Sequence, residues 1–115
     1  MEFSPFNKIV KLCLQGMEKE EQNNPEEARK LFLQAWDESS SDFEKFLSAY
    51  YVARHQENIS DTLEWLKTTL AFALRINNNS VKSAFPALYS RIAKCYEDLN
   101  ESDKAKEFYD LAAAF

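Results

Sequence analysis

A single glycine in 115 residues is far below ordinary usage, which at about 7% would place roughly eight in such a chain. That scarcity excludes glycine-rich phosphate loops, dinucleotide fingerprints and the turn-rich β-sandwich. With 45% apolar, 14% aromatic and 29% charged residues, and 14 Lys and Arg against 19 Asp and Glu for a net charge of −5, the chain reads as one globular domain. The negative balance opposes attraction to nucleic-acid phosphates or anionic membranes. With Pro5, Pro25 and Pro86 as its only prolines, it is expected to be all-α.

Start signals mark six helices, because Ser, Asn or Asp before a helix accepts a bond from its unpaired first amides. Ser4 before Pro5 opens the first, to about Gln22, and Asn24 before Pro25 opens the second, to about Glu38. Ser41 with Glu44 forms a capping box for the third. Ser60 with Asp61 starts the fourth, and Asn77, Asn78, Asn79 and Ser80 separate it from the fifth. Pro86 lies early in the fifth, whose regular part begins near Phe85 or is preceded by a proline-distorted turn. Ser102 with Asp103 starts the sixth.

Periodicity agrees with these caps. Phe6, Ile9, Val10, Cys13 and Met17 share one face of the first helix, and Val81, Phe85, Leu88, Ile92 and Leu99 one face of the fifth. The third helix, with Phe43, Phe46, Leu47, Ala49, Tyr50, Tyr51, Val52 and Ala53, leaves little polar surface and is expected to be covered from several sides. In the fourth, Leu63, Leu66 and Leu70 share a face while Trp65, Phe72 and Ile76 lean to another. The middle pair is therefore expected between two flanking pairs.

Chemistry has little to work with. His55 is the only histidine, so no second one completes a zinc site or a nucleophile dyad, and convergence of Cys13, His55 and Cys95 on a metal is disfavoured. Both cysteines read as small core residues in a reducing compartment. Glu97 and Asp98 point about 100° apart on a helix and read as a solvated helix end. The acidic run around Glu18, Glu20, Glu21, Glu26 and Glu27 reads as a solvated corner. No basic leader or long apolar run is present, so a cytoplasmic location is the default expectation. No cofactor is implied.

Short connections favour antiparallel hairpins, and an internal repeat supports them. Gly16 is followed by Ala28, Phe32 and Ala35. Ala93 is followed at the same spacing by Ala105, Tyr109 and Ala112, with Tyr89 and Tyr96 beside it. This pattern of small residues and aromatics resembles the tetratricopeptide repeat (TPR). The resemblance implies three antiparallel hairpins, about 4–38, 41–77 and 80–115, stacked as a short right-handed solenoid in a single domain, 1–115. Gly16 against Ala28, and Ala93 against Ala105, are the expected close approaches. The middle hairpin matches less well, with Tyr51 for the small residue and Leu63 and Leu70 for the alanines. Ala28 to Leu63 is then 35 residues and Leu63 to Ala105 is 42, against about 34 in the family. The first repeat departs too, with Leu12, Gln15 and Lys19 for the aromatic, Leu and Tyr.

The resemblance also implies a groove lined by the first helix of each hairpin. Its aligned positions are Val10, Cys13 and Met17, then Lys45, Ser48, Val52 and His55, then Ala87, Ser90, Lys94 and Glu97. Family members that grip a terminal carboxylate use Lys and Asn pairs, where this chain has Cys13, Leu14 and Met17, so that clamp is absent. Arg54, His55, Arg91 and Lys94 form a basic cluster that would suit an acidic peptide, although pairing with nearby acids is the favoured reading. Phe108, Leu111, Ala112 and Phe115 end the chain in an apolar helix and suggest self-association or docking of another protein. The expected function is a non-catalytic protein-interaction or scaffold module for a peptide or helix.

Two alternatives remain. One is a regulatory subunit holding a small ligand between hairpins. The other is a ribosomal RNA adenine methyltransferase, a label borne by some small chains of this look; it is disfavoured, since neither a methyl-donor loop nor an Asn-Pro-Pro-aromatic motif is present.

Overall fold

A computed structural model describes residues 6–76 and 78–115, apart from the Ser80 side chain. Helices follow one another as α1 (Lys8–Glu21), α2 (Pro25–Glu38), α3 (Asp42–Val52), α4 (Ile59–Ile76), a single turn α5 (Asn79–Lys82), α6 (Phe85–Asp98) and α7 (Ser102–Ala113). A 3₁₀ turn, Ala53–His55, extends α3. Among the described residues there is no strand. The main contacts join α1 to α2, α3 to α4 and α6 to α7, with α2 on α3 and α4 on α6 between them. These are three hairpins stacked in chain order.

Local chemistry accounts for most boundaries. The Asn24 side chain accepts a bond from the Glu27 amide at 3.4 Å and Ser41 Oγ one from the Glu44 amide at 3.1 Å. Glu44 Oε1 in return accepts from the Ser40 amide at 2.9 Å, one residue before the expected place. Two other expected caps are corrected. Asn58, not Ser60, caps α4, accepting from the Asp61 amide at 2.8 Å. Ser102 is already helical, and the capping position falls on Glu101 with no side-chain bond. The Ser4–Pro5 start lies outside the described residues, and Asn7 caps α1 by accepting from the Ile9 and Val10 amides. Both readings of Pro86 hold together: α5 and a short turn come first, and regular helix begins at Phe85 with proline in the first turn, where no amide is needed.

The first and third hairpins share one turn. Asn23 (φ 59°) and Asn100 (φ 63°) are left-handed. The following amides, of Asn24 and Glu101, reach back to the carbonyls of Lys19 and Tyr96 at 2.9 and 2.8 Å. Asparagine tolerates this conformation and closes both helix ends alike. The middle hairpin lacks that turn and runs through the 3₁₀ segment instead.

Packing follows the apolar stripes. Ile9, Val10 and Cys13 of α1, and Val81, Phe85, Leu88 and Ile92 of α5 and α6, are buried; Phe6 lies before α1 and is exposed. Gly16 does allow a close approach, but its partner is corrected: a Cβ there would overlap the Phe32 ring, not meet Ala28 first.

The middle register is corrected as well. The buried small residues of α3 are Ser48 and Ala49, whereas Tyr51 is only half-buried. On α4, Leu66 and Ala73 are 1% exposed, and Leu66, Leu70 and Ala73 repeat the spacing of Ala28, Phe32 and Ala35. Ala28, Leu66 and Ala105 then stand 38 and 39 residues apart, an even period that the Leu63 alignment hides. Fully buried Thr69 and Ala73 keep the fourth helix close to its neighbours.

Candidate functional site

The first helices of the second and third hairpins leave a shallow cleft between them. Its walls are Phe46, Leu47, Tyr50 and Tyr51 of α3, Ser83 and Ala84 of the turn before α6, and Ala87 of α6, around about 210 Å³. Ala87 is exposed because a small side chain on the outer face of α6 leaves the space open. Tyr50 carries the cleft's link to two cations. The Arg91 guanidinium lies 5.4 Å from its ring, and that of Arg54 lies 5.8 Å away and 4.7 Å from the ring of Tyr51.

The basic cluster is largely satisfied within the chain. Arg54 Nη1 donates to Glu20 Oε1 at 3.0 Å, and His55 Nε2 lies 2.7 Å from Glu20 Oε2. Glu20 thereby ties α1 to the end of α3, and it departs from the solvated corner expected for its acidic run. Lys94 pairs with Glu97 at 3.4 Å and Asp98 at 3.2 Å. Among the described residues Arg91 pairs with no carboxylate, and it adjoins the cleft through Tyr50.

The nominated groove residues fall into two sets. Cys13, Ser48 and Val52 are buried at 2%, 0% and 1% exposure, and Val10 is buried with them. Ser48 donates to the Glu44 carbonyl at 2.8 Å and meets Ser39 Oγ at 3.3 Å. Lys45 donates to the Trp36 carbonyl at 2.9 Å with its ammonium 3.9 Å from the Trp36 ring. Lys45 and Ser48 thus serve the seam with α2, as follows from the shifted register of α3. His55 stacks on Phe32, with centroids 5.7 Å apart. Met17, Ser90 and Arg91 are half-buried, while Ala87, Lys94 and Glu97 are exposed. Phe46, Leu47, Tyr50 and Glu20 were not nominated. The signal that would have placed Tyr50 on the groove side is Ala49, the buried small residue of α3: Tyr50 follows it as Met17 follows Gly16 and Lys94 follows Ala93.

At the other end, the aromatic residues are engaged within the chain. Phe108 packs on Tyr89 and Tyr96, with centroids 6.1 and 5.5 Å apart. Phe115 stacks on Phe85 at 5.4 Å and leans on Tyr89 at 5.7 Å, although 64% of the residue is exposed. Leu111 and Tyr109 are each 38% exposed.

Burial pushes the Cys13 thiol up to about 12 and raises that of Cys95, so both stay protonated and unreactive near neutrality. The hydroxyl of Tyr51 is also raised, first by burial, against the lowering effect of Arg54. Among the described residues no group of three His, Cys, Asp or Glu is placed to hold a metal ion, and no helix is long and apolar enough to cross a membrane.

Hairpins stacked in chain order, with small residues between paired helices, define an all-α helical-repeat protein. Comparison gives the class its name: a tetratricopeptide repeat family profile matches residues 86–114, which span α6 and α7. Among solved structures the chain is similar to the TPR domain of Arabidopsis FLU, with TM-score 0.70 and 23% identity over 92% of each chain. The likeness is one of fold. No curated protein matches the chain significantly. The chain thus has a TPR-like helical-repeat fold, with the family profile itself falling on its last hairpin.

Proposed function

We propose that this chain is a non-catalytic protein-interaction module, a single domain over 1–115, which takes a peptide or helix of a partner protein on the face formed by α1, α3 and α6. The observation that carries this reading is the cleft between α3 and α6, walled by apolar and aromatic side chains beside exposed Ala87. A preformed groove binds at lower ordering cost than a surface that must fold on contact. The fold supports protein partners in general, and the two buried, separate thiols suit a reducing compartment such as the cytoplasm.

Self-association through Leu111 and Phe115 is a weaker part of the same proposal, since Phe115 already lies on Phe85 and Tyr89. Affinity purification with wild type and Ala87→Glu tests the groove. A stoichiometric protein held by wild type and lost by the variant, with equal melting temperatures, is the expected result. Equal retention by both removes the cleft, and a small ligand retained in place of a protein favours the regulatory-subunit reading.

A further inference from the structure

The cleft's size and its charges define what fits it. At about 210 Å³ it is smaller than the ~300–1,000 Å³ of sites for drug-sized molecules, so it suits one bulky side chain. Phe46, Leu47, Ala84 and Ala87 supply apolar walls, and Tyr50 and Tyr51 supply ring surface. Two guanidiniums adjoin these rings. Arg54 is already matched by Glu20 at 3.0 Å, and Lys94, one turn beyond Arg91 on α6, is matched by Glu97 and Asp98. Arg91 holds only the Tyr50 ring face and is half-exposed. An acidic chain thus carries, at the edge of its apolar cleft, a cation, Arg91, with no carboxylate among the described residues.

We propose that the α3–α6 cleft receives a bulky apolar side chain of a partner protein whose adjacent Asp or Glu pairs with Arg91. This rests on the groove reading above and adds the partner's chemistry to it. An arginine held over a tyrosine ring keeps N–H groups for a carboxylate, and its fork geometry makes the pairing directional. Because the site is open, salt weakens the pairing.

The probes are capped peptides: acetyl-Gly-Leu-Asp-Gly-amide, its Asn counterpart, and the version with Gly for Leu, each titrated into the full chain and followed by amide NMR shifts. The Leu-Asp peptide should shift the Tyr50 and Ala87 amides and bind about two- to fivefold tighter than Leu-Asn. The peptide lacking Leu should leave both amides unmoved. The Asp preference should vanish in Arg91→Gln, persist in Arg91→Lys and fade at high salt, with unchanged melting as the control. Equal binding of the Asp and Asn peptides to wild type overturns the acidic requirement while leaving the cleft as a docking site. A preference that survives in Arg91→Gln assigns it to another cation and overturns the proposal. Absence of any shift at Tyr50 and Ala87 overturns it as well, and the Ala87→Glu purification then decides separately whether a partner uses the groove.

Discussion

Phe32 and Tyr109 occupy the same place in the first and last hairpins, four residues after the small alanine of the second helix. Phe32 is 0% exposed, closed in by Gly16 on its own hairpin and by Tyr51 and His55 of the next, with Tyr51 stacked at 5.0 Å. Tyr109 lies on the last described hairpin. It is 38% exposed, and its hydroxyl donates to Glu97 at 3.3 Å. One repeat position is therefore core at an internal seam and surface at the end of the stack. In a solenoid, burial is decided by the neighbour as much as by the residue.

The largest expected effect follows from that contrast. Phe32→Ala should cost about 3–5 kcal/mol, because its cavity is enclosed on both sides, whereas Tyr109→Ala should cost about 1 kcal/mol or less. Urea denaturation of the two variants measures the difference, and equal losses would erase the distinction between seam and end. Gly16→Ala sharpens it. Such a change in a helix interior ordinarily stabilises by about 0.5–1 kcal/mol. Here the new methyl group meets a fully buried Phe32 ring already stacked with Tyr51 and His55, so a net loss of about 1–3 kcal/mol is expected. A variant as stable as wild type would mean that the ring can move.

Polar links across the first seam come next. Glu20→Gln should cost about 1 kcal/mol through Arg54 and His55, while Glu18→Gln, on the exposed face of α1, should stay within about 0.5 kcal/mol. A double-mutant cycle with Arg54→Ala isolates the coupling.

Acid acts on the same half of the molecule. Burial raises the Glu44 carboxyl, but bonds from Ser40, Asn7 and Ser41 outweigh it and hold it below its ordinary value. Glu38 is lowered chiefly by Lys8 and then by Gln34. Both groups favour the folded state once ionised. Their contribution should be complete above the ordinary carboxylate value of about 4.3 and lost as pH falls through the depressed folded values. Melting temperature followed from pH 6 to pH 2 should drop in that acid window, and Glu44→Gln should flatten the drop.

The smallest effect separates the turns. Asn100→Gly should be nearly neutral, whereas Asn100→Ala should cost about 1 kcal/mol, since alanine resists the left-handed conformation. Asn23 should behave alike.

Much of this was legible in residue types. Asn24 and Ser41 announced their helices, and Gly16 announced a close approach. The hairpin order followed from the apolar stripes and short turns, and the TPR resemblance from the small and aromatic residues that recur around Gly16 and Ala93. Other features depended on information that local patterns do not carry. Ser60 and Ser102 look like caps, yet Asn58 supplies the bond for α4 and Glu101 holds the position before α7 without one.

Leu63 and Leu70 lie on one face because seven residues make nearly two turns. Counting twelve residues back from Leu63 put the small position of α3 at Tyr51, because the longer connection through the 3₁₀ turn leaves no local mark, and this turned Lys45 and Ser48 toward a groove when they serve the α2 seam. Glu20 belonged to an acidic run by composition. Its partners lie 34 and 35 residues away, so only the stacking of hairpins brings them together.

The central claim places binding on the cleft between α3 and α6, away from the uncovered end of α7. Hydrogen–deuterium exchange of the chain, free and with its captured protein partner, tests this most directly. Added protection should fall on the segments holding Phe46, Tyr50 and Ala87, with the amides around Tyr109 and Leu111 unchanged. Protection confined to α7, with α3 and α6 unaffected, would contradict the account.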